Sequence, residues 1–305
     1  MKKLHHFFPF LWRSAGFCLL ILLSMQVTAQ DAATDSTQPA PVVKKKAVKN
    51  TFESNWIQDN QSVMVPIKGT FEMDIQHRFG VVKNGYKDLF GIYAPSNIRI
   101  GFCYVLKKDF QVGLGFTKDR LQWDLNGKYA IVKQGKTGGW PISITWFGNI
   151  VMDTRPKENF VNNGDRLSFF NQVLIARKIT DKFSVQVAPS ISHYNNIAGY
   201  TDANGKIQPT MKNNHVAIAF MGRYKMTAKT NFLVNYDQPL TQHPMDNPHP
   251  NISFGLEMIT SSHAFQFFAS NYHNIIPQSN NYFNENDYTK GEFLIGFNIT
   301  RLWNF

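Results

Sequence analysis

From residue 69 onward, apolar and polar residues alternate almost one by one. Phe110, Val112, Leu114 and Phe116 fall on one side of an extended segment, and Gln111, Gly113, Gly115 and Thr117 on the other. Ile98, Ile100, Phe102 and Tyr104 oppose Asn97, Arg99 and Gly101. Leu121, Trp123, Leu125, Tyr129 and Ile131 oppose Gln122, Asp124, Asn126 and Lys128. Ile252, Phe254, Leu256 and Met258 oppose Asn251, Ser253, Gly255 and Glu257. Residues two apart share a face of a strand, so each segment is a strand with one apolar and one polar face. The alternation predicts twelve strands, at about 69–79, 97–106, 110–118, 120–133, 140–149, 166–178, 182–193, 213–225, 230–237, 251–260, 263–271 and 291–304.

The connections sort into two kinds. Lys107-Lys108-Asp109, Thr180-Asp181-Lys182, Thr227-Ala228-Lys229 and Ser261-Ser262 are short. Segments 80–96, 150–165, 194–212, 238–250 and 272–290 are long and polar; the turn near Lys118-Asp119 breaks the alternation by being short. Short turns on one side and long loops on the other are the pattern of outer-membrane barrels, and strands near ten residues suit a tilted membrane crossing. A soluble sandwich or lipocalin-like barrel would hide the apolar face, and the number of large aromatics on that face argues against it. The expectation is an all-β, antiparallel up-and-down transmembrane β-barrel of about twelve strands with both termini periplasmic.

Composition changes the picture little. Hydrophobic residues make up 43% and aromatics 14%, including 26 Phe and 11 Tyr, yet the chain after the leader has no run of about 20 apolar residues for a membrane helix. Residues 1–29 read as a secretory signal peptide: Lys2, Lys3 and Arg13, then apolar Ala15 to Met25, then small residues ending at Ala29. The residue directly after that site is Gln30 and not a cysteine, and Cys18 leaves with the peptide, so Cys103 stands alone. The formal charge of +11 falls to +8 without the leader, and much of the surplus sits in Lys44, Lys45, Lys46 and Lys49. Residues 30–50 therefore read as a Pro/Lys linker, a solvated spacer or a tether for an acidic partner. Residues 51–68 read as a periplasmic arm or a barrel plug, and 69–305 as the barrel. The expected location is the bacterial outer membrane, reached through the inner membrane by a cleaved signal. Expected partners are outer-membrane lipids and lipopolysaccharide, with no nucleic acid.

At the C-terminus, Phe297, Ile299, Trp303 and Phe305 form one apolar row, interrupted by Arg301, whose long side chain can snorkel to the headgroups. Trp303 and Phe305 resemble the terminal aromatic signal that barrel-assembly machinery reads in known outer-membrane barrels. Asn60-Gln61-Ser62, Gly69-Thr70-Phe71 and His77-Arg78-Phe79-Gly80 look like the opening of an uncharacterised family of bacterial outer-membrane β-barrel proteins. Ser96 to Gly101 resembles that family's second strand. His263-Ala264-Phe265-Gln266 resembles its penultimate strand, with Ser262 where Gly is usual. The resemblance covers about residues 51–305. It implies fold and compartment and brings no activity or site residues with it.

The inward face is predicted to carry Glu72, Asp74, Gln76, Arg78, Arg99, Asp124, Lys128, Arg223, Asp237 and Glu257. Charges of both signs inside a barrel must pair or stay hydrated. They suit either a polar conduit for a small polar solute or a closed, salt-bridged lumen. His243, Asp246 and His249 are a weak metal candidate on one proline-rich loop. Ser192 and His193 are adjacent and so point to opposite faces, which is poor geometry for a lipid-active enzyme. No cofactor motif is present. The leading reading is a narrow polar pore or small-solute transporter, ahead of a structural or partner-holding barrel and, last, an enzyme. The terminal row generates one expectation: Phe305→Asp lowers the yield of assembled, heat-modifiable barrel in the outer membrane well below wild type, while a wild-type yield removes the signal role.

Overall fold

The computed structural model describes residues 46–304, so the proposed signal peptide, most of the linker and Phe305 lie outside the described residues. Within them, twelve strands close into one antiparallel barrel. Two short strands, β1 (Trp56–Ile57) and β2 (Asn60–Gln61), precede it. The wall begins with β3 (Thr70–Val81), β4 (Asn97–Lys107), β5 (Phe110–Thr117), β6 (Gln122–Val132), β7 (Ser143–Asp153), β8 (Leu167–Lys178) and β9 (Phe183–Tyr194). A small external hairpin follows, β10 (Gly199–Thr201) with β11 (Ile207–Pro209). The wall continues with β12 (Asn214–Lys225), β13 (Thr230–Pro239), β14 (Asn251–Ile259), β15 (His263–Ser270) and β16 (Leu294–Asn304). Every wall strand pairs with its sequence neighbour, and β16 pairs with β3 to close the ring. Closure leaves no unpaired edge, so each strand's backbone groups are satisfied without water.

Ten of the twelve predicted strands match the observed ones to within two residues at each end, and an eleventh, β16, starts three residues later than expected and ends as expected. The exception is β7, expected at about 140–149 and found three to four residues later. Pro141 has no amide hydrogen to donate to a ladder. The segment before it is engaged elsewhere: Val48 donates to the Gln134 carbonyl at 2.7 Å and Lys136 to the Lys46 carbonyl at 2.8 Å. The strand therefore starts at Ser143 and runs through Ile150-Val151-Met152, the first residues of the loop expected at 150–165.

Face assignment follows the alternation. Ile100, Leu114, Trp123, Leu125, Phe254 and Leu256 are exposed on the outer wall, whereas Arg99, Gln111, Asp124, Ser253 and Glu257 are buried within. Arg301 does face outward, and its guanidinium stacks over the Trp303 ring at 4.7 Å, which keeps the aromatic row continuous around the charge.

The interior is filled. Residues 51–66 lie inside the wall with nearly every side chain buried. From the opposite end, the connection expected as a polar external loop at 272–290, which spans 271–293 in the structure, folds inward around helix α1 (Pro277–Phe283). Gln278, Ser279, Asn280, Asn281 and Tyr282 of this helix are buried. A charge placed on the outer face at mid-height meets hydrocarbon. Leu114→Arg and Phe254→Arg are expected to cost about 2–4 kcal/mol each, against about 0–1 for Met226→Arg at the rim. Denaturant titration of the barrel refolded into lipid measures this, and equal costs would show that Leu114 and Phe254 do not lie against hydrocarbon at mid-height.

Candidate functional site

The site is the contact between the inward face of the wall and residues 51–66. β1 and β2 form a minimal hairpin, Trp56 opposite Gln61 and Ile57 opposite Asn60, turned by Gln58 and Asp59. Gln58 sits at φ 61°, a left-handed backbone that side-chain-bearing residues adopt at a cost. The wall holds it there. Its carbonyl accepts from Asn298 Nδ2 at 2.6 Å and Arg78 Nη2 at 3.4 Å, its amide donates to Gln266 Oε1 at 3.1 Å, and Ser253 Oγ donates to its side-chain oxygen.

Asp59, at the hairpin tip, is where both inserted segments meet. Its carboxylate accepts from Asn235 at 3.0 Å in the wall, from Tyr272 at 2.9 Å and from Asn280 at 3.3 Å in α1. On the flanks, Asn60 donates to Asp237 at 2.9 Å and accepts from Gln172 at 2.8 Å, and Ser54 donates to Glu257 at 2.6 Å. Asn55 donates to Glu72 at 2.5 Å, while Lys128 donates to Asn55 at 3.3 Å and Gln61 at 3.0 Å. Arg223 pairs with Glu53 at 3.1 Å.

All nine charged residues expected in the lumen, Glu72, Asp74, Arg78, Arg99, Asp124, Lys128, Arg223, Asp237 and Glu257, are inward and buried. They do not line an open channel. Arg99 bridges Asp74 at 2.8 Å and Asp124 at 2.8 Å. Gly101 and Gly115 make room for this bridge: a Cβ at either would sit 2.2 Å from a carboxylate oxygen and within 2.5 Å of Arg99. Arg78 lies over the Phe268 ring at 4.6 Å and donates to Asn298 at 2.9 Å. Buried ions are tolerable only with such geometry.

One sector was missed by reading polar residues alone. Phe147, Phe170, Leu174, Ala188, Ala219 and Met221 also point inward, and they pack against Phe52, Ile57 and Val63 of the inserted segment. The lumen is thus apolar on the β7–β12 side and polar on the β14–β6 side. The signal was available as apolar residues in the polar register of β7 and β8.

The loop candidate for metal is not assembled. Both ring nitrogens of His243 are engaged: Nδ1 accepts from the Lys212 amide at 2.9 Å and Nε2 faces His215 Nδ1 at 2.8 Å. Asp246 is exposed, and His249 is tied through its amide to the Asn284 carbonyl at 2.9 Å. Among the described residues, these three do not form a ligand cluster. Ser192 faces inward, whereas His193 lies on the other face between Asn214 and Asn195, at 2.8 and 3.1 Å. At the C-terminus, Trp303 packs against Phe71 with ring centroids 5.6 Å apart, and Phe305 lies outside the described residues.

His243 generates a pH expectation. Burial, reinforced by Lys212, holds its pKa below the ordinary imidazole value. The docked ring is neutral, so the detached loop takes up the proton first. Attachment is complete above about pH 6.5 and weakens as pH falls through that value. The Lys212 amide is expected to exchange with deuterium faster at pH 5 than at pH 8 after correction for intrinsic rates, and unchanged protection would show that the contact does not depend on a neutral ring.

Solved structures that the chain resembles include the NanC porin, at 8% identity, covering 77% of this chain and 99% of that one with a TM-score of 0.46. An outer membrane channel from Pseudomonas putida F1 is 11% identical, with 79% and 97% covered and a TM-score of 0.48. The toluene transporter TodX from Pseudomonas putida is 8% identical, with 80% and 91% covered and a TM-score of 0.40. No curated protein matches the chain. Residues 52–303 match the model of the membrane bound beta barrel domain (DUF5777), and the chain, with its closed wall and apolar outer face, belongs to that family.

Proposed function

We propose that this protein is an outer-membrane barrel that passes small polar solutes when residues 51–66 leave the lumen, with its short-turn end in the periplasm. The observation that carries the reading is the way the lumen is filled. A contiguous segment preceding the wall occupies it, and on the polar side that segment is held by side-chain hydrogen bonds and one ion pair, Arg223–Glu53, with no covalent tie. Bonds between neutral groups contribute about 0.5–1.5 kcal/mol net and those to the charged wall residues about 1.5–3 kcal/mol, small values because water can replace each of them. With the segment withdrawn, Arg223 on β12 and Glu257 on β14 face the paired cluster of Glu72, Asp74, Arg99 and Lys128 on β3, β4 and β6 across a hydrated passage. Mixed charge of this kind favours polar or zwitterionic solutes over apolar ones.

A second reading, a non-conducting barrel that holds a partner, is favoured by the apolar packing of Phe52, Ile57 and Val63. That packing resists hydration and ties the segment in place. Planar-bilayer recording separates the two. The full chain is expected to be mostly silent, and deletion of residues 51–66 to give steady conductance. The double variant Glu53→Ala, Asn60→Ala, which keeps the segment but loosens it, is expected to flicker. Silence from all three, each shown to be folded by heat-modifiable migration, would sink the transport reading and leave the partner-holding one.

A further inference from the structure

The structure assigns to two of the lumen acids, together with a buried cysteine, a cation site that goes beyond the pore reading. Glu72 on β3 is the register partner of Cys103 on β4, and Asp74 is the partner of Gly101, one inward position along. One carboxylate oxygen of each acid and the Cys103 sulfur lie within 4.8 Å of one another, all three residues buried. We propose that Glu72, Asp74 and Cys103 bind a zinc-class divalent cation.

Three observations converge on this site. The first is the state of the carboxylates. Glu72 Oε2 is fixed by Asn55 at 2.5 Å, and Asp74 Oδ1 by Arg99 at 2.8 Å. Glu72 Oε1 and Asp74 Oδ2 are buried and have no hydrogen-bond partner. Buried carboxylate oxygens left unmatched are costly, and one oriented oxygen beside one free oxygen is how outer partners present a ligand to a metal. The second is charge. Glu72, Asp74 and Asp124 face Arg99 and Lys128, so the group carries one negative charge in excess. A divalent cation with a Cys103 thiolate removes the excess, the thiol proton leaving to solvent as the sulfur–metal bond forms.

The third is access. A cavity of about 370 Å³ at the short-turn end is lined by Asn50, Glu53, Ser54, Asn55 and the 259–263 turn, and Glu72 is part of its wall. A hydrated cation entering there meets Glu53 first and Glu72 next. Two oxygens and one thiolate suit zinc, cobalt or cadmium, whereas magnesium and calcium take oxygen sets. Gly113 keeps the space clear, since a Cβ there would lie 2.6 Å from the Cys103 sulfur.

The test uses the full chain, folded in detergent and stripped with chelator, then titrated with Co²⁺ and Zn²⁺. One equivalent of Co²⁺ is expected to produce a thiolate-to-cobalt charge-transfer band that Zn²⁺ abolishes. Cys103→Ser is expected to lose the band, and Glu72→Gln to weaken binding at least tenfold, while His243→Asn leaves both unchanged. Heat-modifiable migration shows that each variant is folded, and the wild-type spectrum alone decides the matter if a variant is not. A wild-type titration without the thiolate band, or one that Cys103→Ser leaves intact, overturns the site.

Discussion

The interior of this barrel depends on one exchange of hydrogen bonds, between a wall that faces its polar residues inward and a segment of sixteen residues, 51–66, that answers them. Twelve strands enclose more space than their own side chains fill. Glu72, Asp237, Glu257, Gln172, Gln186 and Gln266 would be unmatched inside a dry lumen. Instead they meet Asn55, Asn60, Ser54 and the backbone of Gln58, Gln61 and Val63. The strained turn at Gln58 persists because four wall groups hold it, and Asp59 at its tip ties the segment to α1 from the other end.

The division of the lumen into an apolar and a polar sector fixes how the segment sits. Phe52, Ile57 and Val63 fit only against Phe147, Phe170 and Leu174, and Asn55 and Ser54 only against the acids opposite. Rotating the segment would bury amides against rings and strand carboxylates without donors. Both halves of the contact are therefore needed to specify one position. The outer face imposes no such choice, since any apolar residue suits lipid.

The wall was legible in the sequence because a membrane barrel writes its fold into a local period of two. Leu114 and Gln111 could be assigned to faces without knowing any partner. The contents of the lumen were not legible in the same way. Gln58 meets Asn298 and Asp59 meets Asn235 at separations of 240 and 176 residues, and a short run of Trp, Gln, Asp and Asn reads equally well as a solvated arm. The loop that carries α1 looked external because its Asn and Ser residues are polar, and polarity does not say whether the partner is water or a polar wall. Register explains the rest. Cys103 has no motif near it, and only the β3–β4 pairing puts Glu72 across from it. His243 was noticed for its neighbours in sequence, Asp246 and His249, whereas its actual partner, His215, comes from the adjacent strand.

The seam between β3 and β16 bears on how such an object comes into being. Residues 70–81 and 294–304 join strands at opposite ends of the wall in sequence, so that ladder is the most non-local of the twelve and the slowest to find by chain diffusion. The inserted hairpin hangs from β3 by a few residues and donates across to Gln266 on β15 and accepts from Asn298 on β16. A segment anchored to one lip of the seam and bonded to the other acts as a clasp. In the closed ring it joins the two lips from the inside as well, so the seam is held both by its ladder and by what the lumen contains.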